Sequence, residues 1–200
     1  MAKIKLTKNE QKKQKDSLKR FQRYLPTLML KKQQLQAEIR VVDMHMAEMK
    51  ALKEQRDASF KKWIAVFGEE GAFTTNILRI TKLLAGEGNV AGVSIPVFQG
   101  AEFEVSDYDI VAKPLWVDFA VDSMKKALLL DLELQCLEEQ QRRLRKELQT
   151  TSQRVNLFEK IKIPEAKANI KKIAVYLGDQ QTAAVVRGKI SKRGMERAGS

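Results

Sequence analysis

A chain with one histidine and one cysteine has little from which to build a reactive site. His45 and Cys136 belong to no Cys/His cluster, so a zinc-type site with several nitrogen and sulfur ligands cannot be assembled. His45 precedes Met46 on the flank of an apolar stripe. It lacks the partner groups that proton transfer requires and reads as solvated. Cys136 flanks Leu137 and reads as inert packing. Gly86, Gly88 and Gly92 spell G-x-G-x-x-x-G, one residue longer than a dinucleotide fingerprint. They follow a helical pattern rather than a strand, so they read as turn glycines. No G-x-x-x-x-G-K-[ST] is present. Asp131, Glu133, Glu138 and Glu139 fall on one helical stretch, with Arg142 and Arg143 at spacings suited to surface pairs. No active site, metal or cofactor is expected, and the chain is left to work by shape and contact.

The elements that carry these residues are long. Alternating steps of four and three from Trp116 reach Ala120, Ser123, Ala127, Leu130, Leu134, Leu137, Gln141, Leu144, Leu148, Thr151, Val155 and Phe158. That is the stripe of a coiled-coil seam, repeating every 3.5 residues. Beyond Phe158 the stripe continues one position later, through Ile163, Ala166, Ile170, Ile173, Leu177 and Ala184. The slip reads as a four-residue stutter that locally unwinds the supercoil without ending the helix. A helix of roughly 70 residues would run about 105 Å, too long for a 200-residue chain to wrap. A second stripe supplies the partner: Leu18, Phe21, Leu25, Leu28, Lys32, Leu35, Ile39, Val42, Met46, Met49, Lys53, Arg56, Phe60, Trp63 and Phe67. The stems of Lys32, Lys53 and Arg56 can still cover apolar surface. Thr7-Lys8-Asn9-Glu10 has capping-box spacing. Pro26, inside the stripe, predicts a kink, since the stripe resumes in phase at Leu28.

Between the stripes, Gly68 and Gly71 end the first helix. Residues 72–85 (Phe73, Ile77, Leu78, Ile80, Leu83, Leu84) read as a short amphipathic helix and Gly86-Glu87-Gly88-Asn89 as a turn. Val90–Phe98 and Ala101–Ile110 read as a hairpin around Gln99-Gly100, with Pro96 demoting the first strand to an edge or bulge. Pro114 stands just ahead of the second helix. The expected fold is all-α: a long antiparallel two-helix coiled coil with a small cap, a short helix plus β-hairpin, between the helices. Its parts are an N-terminal shaft helix (1–67), a connecting cap (68–115), a C-terminal shaft helix (116–193) and a frayed tail (194–200). Setting Phe67 beside Trp116 sets Leu35 beside Leu148 and Leu18 near Glu165. Leu35, Ile39, Leu134, Leu137, Leu144, Leu148, Val155 and Phe158 are the seam.

In this register the second helix outruns the first. Its overhang joins a small apolar stretch, including Ala183 and Val186, to a basic collar of Arg187, Lys189, Lys192 and Arg193. The chain holds 37 Lys and Arg against 25 Asp and Glu, a net charge of +12. Much of the surplus lies near the two termini, which an antiparallel pair brings to one end. Nucleic acid or an acidic protein surface is the partner class such a balance suggests. A coiled-coil scaffold binding nucleic acid through this tip is one alternative. Against it, only Phe21 and Tyr24 interleave the basic residues and no base-reading motif is present. A chaperone arm of the prefoldin type is another two-helix alternative. A single cysteine fits a reducing compartment. Met1–Glu10 lacks the apolar run of a signal peptide, and no run reaches the roughly 18 apolar residues of a membrane span.

Several stretches resemble the D subunit of V/A-type ATPases, the bacterial branch above all. Leu6-Thr7-Lys8-Asn9-Glu10, Arg23-Tyr24-Leu25-Pro26-Thr27-Leu28 and Leu30-Lys31-Lys32 are similar to its N-terminal helix. Gly92-Val93-Ser94-Ile95-Pro96 resembles its G-V-x-[IV]-P segment, and Lys113-Pro114-Leu115-Trp116-Val117-Asp118 the start of its second helix. Arg154-Val155-Asn156-Leu157-Phe158-Glu159, Ile163-Pro164 and Ile170-Lys171-Lys172-Ile173 follow its R-V-N-x-[LF]-E, I-P and I-x-x-I pattern. Gly178–Ala183 departs from the acidic-basic run that many members carry.

The resemblance implies a non-catalytic central-stalk rotor that transmits torque between a membrane ion-translocating ring and a catalytic hexamer. Its implied partners are the A and B subunits of that hexamer, the small F subunit and a socket protein of the membrane rotor. It implies a cytoplasmic location, peripheral on the membrane face, with no insertion of the chain itself. Ala183, Val186, Arg187, Lys189, Lys192 and Arg193 would then turn inside the hexamer sleeve.

Overall fold

The computed structural model describes residues 4–62, 65, 77–106, 114 and 116–198. Its elements are α1 (Lys8–Lys61), β1 (Leu78–Val90), β2 (Val93–Val105), α2 (Trp116–Asn156), a π-helical stretch (Leu157–Lys162) and α3 (Ile163–Ala198). The chain divides into two compact units, Gln33–Gln149 and the remainder, Met1–Lys32 with Thr150–Ser200.

In the unit Gln33–Gln149, the stripes become a core. Leu35, Ile39, Val42 and Met46 of α1 cluster with Leu137 and Leu144 of α2 and Ile95 of β2, and Leu148 packs against them. The helices run antiparallel, and the polar residues that interrupt the stripes tie them together. Arg56 Nη1 donates to the carbonyl oxygen of Ala127 at 2.8 Å. Lys53 Nζ lies 3.0 Å from Asp131 Oδ1, with Arg56 Nη2 at 3.6 Å. That oxygen is buried and has no aligned hydrogen-bond donor, so opposite charge is what compensates it. Gln141 Nε2 donates to Asp43 Oδ1 in a short bond. The register that sets Leu35 beside Leu148 also sets Arg56 beside Ala127.

The segment between the helices differs from the sequence reading. Residues 78–85 are strand, not short helix, and residues 72–76 of that expected helix lie outside the described residues. Ile80, Lys82 and Arg79 find partners across the sheet in Phe103, Glu102 and Glu104. An apolar and two opposite-charge pairs of this kind outweigh an ambiguous helical spacing. The turn is Ala91-Gly92, not Gln99-Gly100. Both turn residues have positive φ, 50° and 80°, the condition for a two-residue turn whose twist matches its strands. Gly92 N–H is held by Asn89 Oδ1 at 2.9 Å. Gln99 is instead the extra residue of a bulge, because Leu84 pairs with Gly100 and Ala85 with Phe98.

Gly86 and Gly88 are likewise strand residues, not turn glycines. A Cβ on Gly88 would stand 3.0 Å from Val97 Cγ2 and 3.3 Å from Ile95 Cγ1, so close approach explains it. The hairpin also packs along the helices. Val90, Ala91 and Val93 lie against the cluster built on Leu35 and Leu144. Ile77, Val117 and Val121 form a second, smaller cluster, with Val105 and Trp116 against it.

In the other unit, α1 opens as its capping box indicates, with Glu10 N–H donating to Thr7 Oγ1 at 3.2 Å. The helix continues through Pro26. Among its described residues the buried side chains are Thr151, Val155, Ala166 and Ile173. Phe21 and Phe158 meet with ring centroids 5.2 Å apart. The one-position slip after Phe158 is not spread over a gradual unwinding. It is taken up in the single π-helical stretch Leu157–Lys162, where Ile163 N–H donates to Phe158 O, one residue further back than in an α-helix.

Candidate interaction surface at the C-terminal helix

α3 begins packed and ends bare. Ile173 is fully buried and Leu177 half-buried, while every residue from Gly178 to Met195 is exposed. The six residues singled out from sequence, Ala183, Val186, Arg187, Lys189, Lys192 and Arg193, all fall on this bare stretch. Ala183, Val186 and Ile190 recur at helical spacing and share one face. Val186 is 50% and Ile190 65% exposed. Among the described residues, none of the four collar cations has an ion-pair partner. Side-chain bonds of this helix lie upstream, among them Gln180 Nε2 to Tyr176 Oη at 2.8 Å and Thr182 Oγ1 to Gly178 O at 3.1 Å. A helical end with an apolar stripe and unneutralised cations suits an external surface that is partly apolar and partly acidic.

The seam residues take another role. Leu35, Ile39, Leu134, Leu137 and Leu144 are buried in the unit Gln33–Gln149, with Leu148 partly so. Val155 is buried, and Phe158 half-buried, in the other unit.

Sequence reading missed how the hairpin is fastened. Gln140 Nε2 donates to Pro96 O at 2.6 Å, and Cys136 Sγ approaches the same oxygen at 3.4 Å. Arg143 Nη1 donates to Ser94 O at 3.1 Å. Backbone carbonyls are the acceptors, so no residue type on the hairpin could have signalled these bonds. Glu139 bonds Arg142 at 2.6 Å and Arg143 at 2.7 Å. The two guanidinium groups, Arg142 first, hold its carboxyl down at about 2. The Cys136 thiol is pushed up, chiefly by burial. His45 Nε2 lies 3.8 Å from Glu133 at a half-exposed position. No helix among the described residues is long and apolar enough to cross a membrane.

Paired helices, a docked hairpin and a bare basic end describe a protein that acts by contact within an assembly. A profile of the ATP synthase D-subunit family matches residues 10–193. The chain belongs to this family, whose members are non-catalytic subunits of rotary ATPase complexes. It is 50% identical over 193 residues to the V-type ATP synthase D subunit of Borreliella burgdorferi, covering 96% of this chain and 95% of the relative. The proteins of the same name from Chlamydia felis and Chlamydia muridarum are 35% and 34% identical. Each match covers 95% of this chain, with 92% of the first relative and 95% of the second.

Proposed function

We propose that the chain is the central-stalk rotor of a V/A-type ATP synthase, carrying torque between a membrane ion-translocating ring and a catalytic hexamer. The observation that supports this reading most directly is the bare end of α3. Its eighteen residues from Gly178 to Met195 bury none of their number within the chain, yet display an apolar stripe and a cationic collar. In this reading the A and B subunits form the sleeve around Ala183, Val186, Arg187, Lys189, Lys192 and Arg193. The small F subunit and a socket protein of the membrane rotor are the other partners, and the location is cytoplasmic, on the membrane face. Small side chains and long flexible cations suit a turning surface, because exposed ion pairs of about 0–1 kcal/mol exchange readily. Torque needs stiffness elsewhere, which antiparallel pairing in a coiled-coil seam through Leu35, Ile39, Leu144 and Leu148 supplies.

ATP-driven ion transport in the reconstituted complex tests the proposal. Leu148→Pro, which costs an interior helix about 3 kcal/mol or more, should abolish transport. Neutralising Arg187, Lys189, Lys192 or Arg193 singly should change it little. A seam that tolerates proline alongside one indispensable collar charge would overturn the mechanism.

A further inference from the structure

The helical stretch Leu157–Lys162 stands apart from the α-helix on either side. None of its six residues is fully buried, and Ile161 is 53% exposed. Val155 before it and Ala166 and Ile173 after it are buried. The flanking stripes are offset by one residue, and a π turn holds one residue more than the α turn it replaces. The offset and the turn are therefore the same surplus residue, seen once in sequence and once in backbone bonding.

Two neighbours hold that surplus where it is. Pro164 has no N–H to give the carbonyl of Lys160, and its ring would press on that carbonyl in an unbroken α-helix. A wider turn just ahead of the proline relieves both problems. On the other side, the ring of Phe158 is held against Phe21. Bends in long helices concentrate at π turns, which makes this the place where the direction and twist of the helix can change.

We propose that Leu157–Lys162 is a torsional joint: one surplus residue stored as a π turn, pinned by Pro164 and the Phe21–Phe158 contact. Twist between the two flanking helical segments is taken up there, without disturbing the packed residues on either side. The backbone account stands by itself, and only its mechanical use rests on the rotor reading.

A surplus residue can be removed without moving its neighbours, which gives a test on the isolated full chain. Ser17 and Asn169 are both half-buried and line one cavity. With Cys136→Ala as background, Ser17→Cys and Asn169→Cys should be joined by a short bismaleimide. Deleting Lys160 should convert the stretch to α-helix, leave this cross-link within about twofold of its original yield, and slow amide exchange across 157–163 as the π turn is lost. Deleting Gln135, in α2 where there is no surplus, should abolish cooperative melting. Cross-linking that moves from position 169 to Ile170→Cys in the Lys160 deletion overturns the proposal, and so does a deletion chain that fails to fold. Pro164→Ala should speed amide exchange at residues C-terminal to Ile163 as the surplus is unpinned. Unchanged exchange there would overturn the pinning.

Discussion

The two compact units are cut from the same pair of stripes and hold together differently. In Gln33–Gln149 a third layer, the hairpin, lies on the helices, and Ile95 joins an apolar cluster drawn from both of them. Hydrogen bonds from Arg56, Gln140, Gln141 and Arg143 cross between elements there. Among the described residues of the other unit, Phe21 meets Phe158, four side chains are buried and a π turn interrupts the helix. Closely similar repeats are thus joined by a covering layer in one unit and, among the described residues, by helix packing in the other. Periodicity determines which face turns inward, and the covering layer determines how firmly that face is held.

The sharpest way to break this contrast is to empty an equally buried site in each unit. Leu144 and Ile173 are both fully buried. Core truncation of such residues costs about 2–5 kcal/mol, more where neighbours cannot collapse into the space. Leu144→Ala should fall near the upper end and Ile173→Ala near the lower, read as urea-unfolding midpoints of the full chain. Equal losses would mean that the hairpin adds no rigidity.

A smaller effect should follow from loosening the covering layer alone. Gln140→Ala leaves Pro96 O without its strongest donor, for a loss of roughly 0.5–1.5 kcal/mol. Faster amide exchange should then appear in β2 and not in residues 150–177. Exchange that rises equally in both regions would show that the hairpin is not fastened locally.

The smallest effect is set by pH. The Glu139 carboxyl is held from its ordinary 4.5 down to about 2 by Arg142 and Arg143. A depressed acid contributes stability above its unfolded value, and that contribution is lost as pH falls toward the folded value. The stability of the chain should therefore fall between about pH 4.5 and 2, and Glu139→Gln should flatten this dependence. The change is modest, because the pair sits on the helix surface. A dependence left intact by the substitution would assign it to another group.

The helical parts of the fold were legible because long stripes leave few alternatives. Trp116 begins α2, Thr7 caps α1 and the slip after Phe158 marks the π turn. The hairpin was legible only in outline. Leu78–Leu84 supports helical and strand spacing equally well, and only cross-strand partners such as Phe103 decide between them. Ala91 is an unusual residue for a positive-φ turn position, so Gln99-Gly100 offered a more familiar signal at a place that is a bulge. The candidate surface was read from the register, in which the second helix outruns the first, and from the resemblance. Those residues are exposed, including Ala184, which the stripe had placed in the seam.

That surface bears on how the sequence can drift. Gly178 to Met195 buries nothing in the chain, so folding imposes little on its side chains beyond helix propensity. Truncations that destabilise the chain at Leu144 should cost little at Ile190, which is exposed. Any restraint on this stretch across related chains must come from outside, from whatever surface meets it. Two relatives could share every packing residue and still be unable to exchange places in each other's assemblies, their difference confined to these few turns of helix.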